Sequence, residues 1–220
     1  ASNIVKTDLP DGIKIKALNK GIEELQKQTA ENPKDARGYI FLSALYSYYA
    51  GNQNEALATL DKALELSPKK QQIYFLMADV YLAMDQNDQA MKAMQIAYDF
   101  DQNNVSAAEG LAVTAIVAGQ PKYAEELLQK HFGAVLRADQ KFVNAYARAG
   151  DFVRVKDIWL LIIEKEPDNA QFRVNLAATY LKLNERAKAI KELEKAIELN
   201  PDFKGQGDYF INEIRAGRNP

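Results

Sequence analysis

Residues 173–201 read RVNLAATYLKLNERAKAIKELEKAIELNP. Leu176, Ala177 and Tyr180 stand three and four apart, which places them on one stripe of a helix. Ala189, Leu193 and Ala196 make a second stripe of the same spacing. Asn184-Glu185 separates the two, and Asn is a residue that tolerates the left-handed backbone ending a helix. Pro201 closes the segment. The stretch therefore predicts two helices folded back on each other, each with its apolar stripe turned to its neighbour.

The same pattern recurs along the chain. Tyr74, Met77-Ala78 and Tyr81 precede Ala90, Met94 and Ala97; Tyr39, Leu42-Ser43 and Tyr46 precede Ala56, Leu60 and Ala63. Ala108, Leu111-Ala112 and Ala115 precede Ala124, Leu128 and His131, and Phe142-Val143 and Tyr146 precede Val155, Trp159 and Ile162. The equivalent positions 56, 90, 124, 155 and 189 are separated by steps of 34, 34, 31 and 34 residues. The short step points to a trimmed connection around residues 131–136. A 34-residue helix–turn–helix period resembles the tetratricopeptide repeat over nearly the whole chain. That resemblance implies an all-α, right-handed superhelical solenoid whose first helices line a concave face and whose task is to bind protein.

The punctuation agrees with it. Turns are expected at Gly51-Asn52, Asp85-Gln86-Asn87, Gly119-Gln120-Pro121, Gly150-Asp151 and Asn184-Glu185. Pro33, Pro68, Pro167 and Pro201 end second helices, and Pro121 suits a first helical turn. Ser43, Ala78, Ala112 and Ala177 supply small side chains where two helices approach. Residues 1–12 read as a tether and 13–35 as a leading half repeat. Five repeats follow over 36–70, 71–104, 105–135, 136–169 and 170–203. Residues 204–220 read as a capping helix, through Tyr209, Phe210, Ile211 and Ile214, with a tail. The expectation is twelve helices.

Composition narrows the function. The 220 residues carry 28 Lys+Arg against 30 Asp+Glu, a formal net charge of −2, which is not the basic balance of a nucleic-acid binder. Cysteine is absent and there is one histidine, His131, which rules out disulfides, Cys-ligated metals and paired imidazoles. No glycine-rich phosphate loop or nucleophile motif occurs, and carboxylates are scattered over turns and outer faces. The sequence predicts no catalytic residues, no metal and no cofactor. His131 and Trp159 read as packing residues, and the charges of 188–198 as an ion-paired outer face. No run of about 18 apolar residues is present to cross a membrane.

A second resemblance concerns the ends of the array. Residues 208–220, DYFINEIRAGRNP, together with PKKQQI at 68–73, look like the soluble repeat tail of bacterial O-antigen ligase/polymerase-like membrane proteins. That resemblance implies a membrane-embedded glycan-transferring region upstream, with the tether and the absence of an initial Met following from it. It makes the chain an extramembrane accessory domain that recruits partners.

Candidate binding residues lie beside the packing stripe of each first helix. Repeats one to three offer Phe41, Phe75, Leu76, Asp79, Leu82, Val113 and Ile116, an apolar set expected either to hold a peptide or amphipathic helix of a partner, or to pack between adjacent repeats. Tyr48 belongs to the same reading. Repeat four turns basic and polar with Arg137, Lys141, Asn144 and Arg148, joined by Asn175 of repeat five. Lys, Arg and Asn on successive first helices hold a partner's terminal carboxylate in some tetratricopeptide proteins, although repeats one to three lack that pattern; a solvated charged face is the other reading. Residues 71–104 set one lysine, Lys92, against five aspartates, a net of −4, which suits a basic partner segment unless Asp85, Asp88 and Asp101 serve as caps.

Overall fold

The computed structural model describes residues 11–47 and 52–219. The turn expected at Gly51, the position of Tyr48 and residues 1–10 of the expected tether lie outside them. Among the described residues there are twelve α-helices and no strand. They are α1 (Asp11–Glu31), α2 (Ala36–Ser47), α3 (Gln53–Leu66), α4 (Gln71–Ala83), α5 (Asn87–Phe100) and α6 (Val105–Val117). Then follow α7 (Pro121–Phe132), α8 (Gln140–Arg148), α9 (Phe152–Lys165), α10 (Ala170–Lys182), α11 (Arg186–Leu199) and α12 (Lys204–Arg215). A 3-10 turn, Pro201–Phe203, precedes the last. Helix α1 begins at Asp11, so the last two residues assigned to the tether are helical.

The helices form because the apolar stripes bury one another. Ala56, Leu60 and Ala63 of α3, Ala90, Met94 and Ala97 of α5, and Ala189, Leu193 and Ala196 of α11 are all buried. So are the small residues Ser43, Ala78, Ala112 and Ala177 of the first helices. Removing such stripes from water contributes roughly 25 cal/mol per Å² of apolar area, which is what holds hairpins this short in a helical state. Trp159 lies in the core against Phe172, with ring centroids 5.6 Å apart. His131 packs at the end of α7 beside Phe132.

Four hairpin turns share one construction. Asp85, Gly119, Gly150 and Asn184 each adopt positive φ, between 57° and 77°. The next amide reaches back five residues: Gln86 donates to the Tyr81 carbonyl, Gln120 to Ala115, Asp151 to Tyr146 and Glu185 to Tyr180, at 2.8–2.9 Å. These bonds take up carbonyls that a helix end leaves unpartnered. Asp85 thus ends α4 rather than capping α5. Asp101 does not cap a helix either: it accepts the Asn103 amide at 3.0 Å within the turn that precedes α6, whose start Asn104 caps, while Asp88 lies exposed in the first turn of α5.

The breaks between repeats have their own devices. Asp35, Asn104, Asp139 and Asn169 accept backbone amides two residues on, at 2.9–3.1 Å, and so start the first helices. The Tyr39 and Tyr74 hydroxyls donate to the Pro33 and Pro68 carbonyls six residues earlier. Gln71 donates to the Ala97 carbonyl and accepts from the Asn104 amide group, both at 2.8 Å, tying the start of one repeat to the end of its second helix and to the next start.

The chain divides into two compact units, Ala1–Thr114 and Ala115–Pro220. In the first, α2 packs on α3, α3 on α4, and α4 on α5, with α2 also touching α4, the first helix of the next repeat. In the second, α8 through α12 pack each on its neighbour. Helix α12 closes the second unit: Ile211 and Ile214 are buried, and the Arg186 Nη1 donates to the Ile214 and Arg218 carbonyls. Tyr209, counted among the covering residues, instead faces solvent with 57% of its surface exposed.

Candidate functional site

In the first unit the candidate surface is carried by α2 and α4. Ile40, Leu42 and Leu45 on α2 are buried, whereas Phe41 between them is 62% exposed. On α4, Phe75, Leu76 and Leu82 are half-buried and Asp79 is exposed. Positions 75, 79 and 82 share one helical face, so a carboxylate stands between two apolar side chains. Val113 on α6 is half-buried. A cavity of about 180 Å³ opens among α2, α3 and α4, floored by the buried Ser43, Leu60 and Val80 and edged by Ser47, Gln53, Leu76 and Asp79.

Asp79 is the electrostatic feature of this surface. The residue is exposed as a whole, yet protein covers it on the cavity side, and this burial alone pushes its pKa up from the ordinary carboxylate value. Among the described residues no cation offsets that effect. The two serines beside it already donate their hydroxyl protons to the backbone, Ser43 to the Ile40 carbonyl at 2.8 Å and Ser47 to Ala44 at 2.9 Å.

The second unit alters two expectations. Ile116 has 0% of its surface exposed; it is a core residue and offers nothing to a partner. Arg137 does not lie on a first helix. Helix α8 starts only at Gln140, so Arg137 sits in the connection 133–139, its guanidinium 3.9 Å above the Phe132 ring. The cause is the 31-residue step: α8 has nine residues where the other first helices have 12 or 13. Gly133, left-handed at φ 69°, ends α7, and Asp139 caps α8, which holds the connection out of both helices.

Lys141, Asn144 and Arg148 lie exposed along one face of α8. The Lys141 Nζ is 3.3 Å from the Asp139 carboxylate, so part of its charge already serves its own helix start. Asn175 is half-buried and its side-chain oxygen accepts from the Gln171 amide at 3.0 Å.

Three features of this unit escaped the sequence reading. The seven-residue connection 133–139 and the shortened α8 leave an open cavity of about 680 Å³ among Phe132, Leu136, Arg137, Leu161 and Glu164; the irregular step was its signal. An apolar cavity of about 160 Å³ lies among Val174, Ala178, Leu181, Phe210 and Ile214. Arg154 pairs with Glu125 and Asp151 and lies over the Tyr146 ring, 5.7 Å from its centre. Burial first, and Glu125 second, push the Tyr146 hydroxyl up to about 12. This cluster ties α7, α8 and α9 together; nothing in a helical period announces it.

Comparison with known proteins places these observations. The tetratricopeptide repeat pattern matches residues 48–108 and again residues 170–203. The chain is similar to YrrB, a tetratricopeptide protein described as having an unusual peptide-binding site, with 28% identity over 82% of this chain and 94% of that one, at a TM-score of 0.53. It is also similar to a tetratricopeptide repeat protein from Parabacteroides merdae, with 17% identity over 86% of this chain and 75% of that one, at a TM-score of 0.65. The C-terminal part of a repeat protein from Cytophaga hutchinsonii matches 93% of this chain with 86% of its own, at 16% identity and a TM-score of 0.60. The chain thus carries tetratricopeptide repeats in those two stretches and has the fold of helical-repeat proteins. The resemblance to the tail of O-antigen ligase-like proteins is not supported by these comparisons. Among the described residues no helix is long and apolar enough to cross a membrane.

Proposed function

We propose that this chain is a non-catalytic scaffold that holds a segment of a partner protein against the first helices of its N-terminal unit. The observation that carries this reading is Phe41, a large aromatic side chain left 62% exposed on a helix whose neighbouring apolar residues are buried. The exposed part of such a side chain contributes little to the fold, and aromatic side chains of that kind become binding anchors when a partner covers them. Phe75, Leu76 and Leu82, half-buried on α4, supply further apolar side chains on the first helix of the next repeat. The similarity to YrrB, whose description includes a peptide-binding site, supports a peptide-like occupant. Lys141, Asn144 and Arg148 form a separate polar face on α8 suited to an acidic or carboxylate-bearing segment.

The test begins with partners captured by affinity purification and identified by mass spectrometry. Each is then re-tested against F41S and against a Phe75→Ser/Leu82→Ser variant, with circular dichroism confirming an intact helical fold. Capture reduced at least tenfold by both variants is the expected result. Capture unchanged in folded variants removes this face from the binding surface.

A further inference from the structure

We propose that the pocket between α2 and α4 receives the cationic head of a lysine or arginine from a partner peptide, held by Asp79 and Ser47, while apolar side chains of the same segment lie on Phe75 and Leu82. The inference rests on the reading of this face as a peptide-binding surface and assigns the chemistry of the peptide. Three observations lead to it. The cavity, about 180 Å³, falls below the roughly 300 Å³ at which small-molecule pockets begin, and is of a size for one side chain. Beside the Gln53 amide, which both donates and accepts, its polar edge offers two acceptors: Ser47 has its proton committed to the Ala44 carbonyl, leaving its lone pairs, and an ionised carboxylate accepts only. A guest that matches these two acceptors is a donor, and ammonium and guanidinium groups are donors only.

The charge of the surroundings agrees. Residues 71–104, which carry α4 and α5, hold one basic residue, Lys92, against five aspartates. Among the described residues no cation compensates Asp79, so an arriving cation would offset a desolvated charge rather than displace an existing partner. The order along α4 is apolar, acidic, apolar at positions 75, 79 and 82, which sets the order expected in the ligand: a cation flanked by apolar residues.

The probe is a phage-displayed library of random twelve-residue peptides, selected on the full chain. The selection is repeated on the Asp79→Lys chain and on the Phe75→Ser/Leu82→Ser chain. The expected outcome is a wild-type pool enriched in Lys or Arg next to apolar residues, and a D79K pool that loses the cation and gains Asp or Glu. One selected peptide is then synthesised and its affinity read by fluorescence anisotropy. Replacing its Lys or Arg by Met should weaken binding about tenfold or more, and replacing it by Glu should restore binding to D79K. A pool of apolar peptides without a cation, lost on the double serine variant and unchanged in D79K, overturns the role of Asp79 but leaves the peptide surface standing. Peptides indifferent to all three side chains, or no enrichment at all, overturn both.

Discussion

A single carboxylate shows how a residue can act against the fold that presents it. Asp79 stands exposed on α4, but burial on its cavity side holds its pKa above the ordinary aspartate range near 4. The folded chain therefore binds that proton more tightly than the unfolded chain does. Ionisation opposes folding: the penalty is present above the folded pKa and disappears as the pH falls through it. Asp79→Asn removes the charge and keeps the shape. At pH 7 its urea midpoint should be no lower than that of the parent, and the gap between the two should close on acidification towards about pH 4. A lower midpoint for D79N, or a gap that widens in acid, would show Asp79 to be a stabilising residue and not one kept for a ligand. Phe41 belongs to the same class, since 62% of its surface lies outside the packing of the fold. The hairpin residues Asp85 and Asn184 are the opposite case, because their left-handed backbone is required by the turn they close.

At the scale of elements, the hairpins were legible because one period and one turn chemistry repeat. Leu176, Ala177 and Tyr180 lie buried on one stripe as their spacing demands. What the spacing could not divide was the 31-residue step. Three missing residues shorten a repeat whether the loop or the helix loses them, and the period alone favours the loop. Gly133 and Asp139 decide otherwise by ending α7 and capping α8, and Arg137 leaves the helix with them. The joints between repeats were equally hidden, since they depend on side chains that carry no period. Gln71 is the clearest, with one bond to the Ala97 carbonyl and another to Asn104. Asn104 in turn accepts the Ser106 and Ala107 amides at the start of α6. Replacing Gln71 by Ala should cost about 1–2 kcal/mol for two part-buried hydrogen bonds. Hydrogen exchange should quicken first at the Ser106 and Ala107 amides. Loss of stability with unchanged exchange there would separate Gln71 from the start of α6.

For the molecule as a whole, the period tells which face a residue takes but not how deeply its neighbours cover it. Val113 and Ile116 take the same face by their spacing; Val113 is half-buried and Ile116 is core, a difference set by what packs over each. The same limit applies to the C-terminal end, where Tyr209 and Ile211 both read as cover and only Ile211 is buried. A repeat array buries its stripes only against neighbours, so its last repeat needs a cap. Here α12 supplies it: Gly207 comes against Ile197 of α11 so closely that a Cβ would meet that side chain at 2.7 Å. Ile211 and Ile214 sit buried, and Arg186 fastens the end through the Ile214 and Arg218 carbonyls. Burying an isoleucine contributes about 1.5–3 kcal/mol, so an Ile211→Ser/Ile214→Ser chain should lose on the order of 3–5 kcal/mol. Because stability in such arrays is local, the loss should concentrate in residues 170–203, where exchange of the α10 and α11 amides should accelerate, while α2 to α5 keep their protection. A chain ending at Phe203 should expose the apolar side chains that α12 covers and self-associate in light scattering at concentrations where the full chain does not. A monomeric truncated chain with an unchanged urea midpoint would show that repeat five stands without its cap.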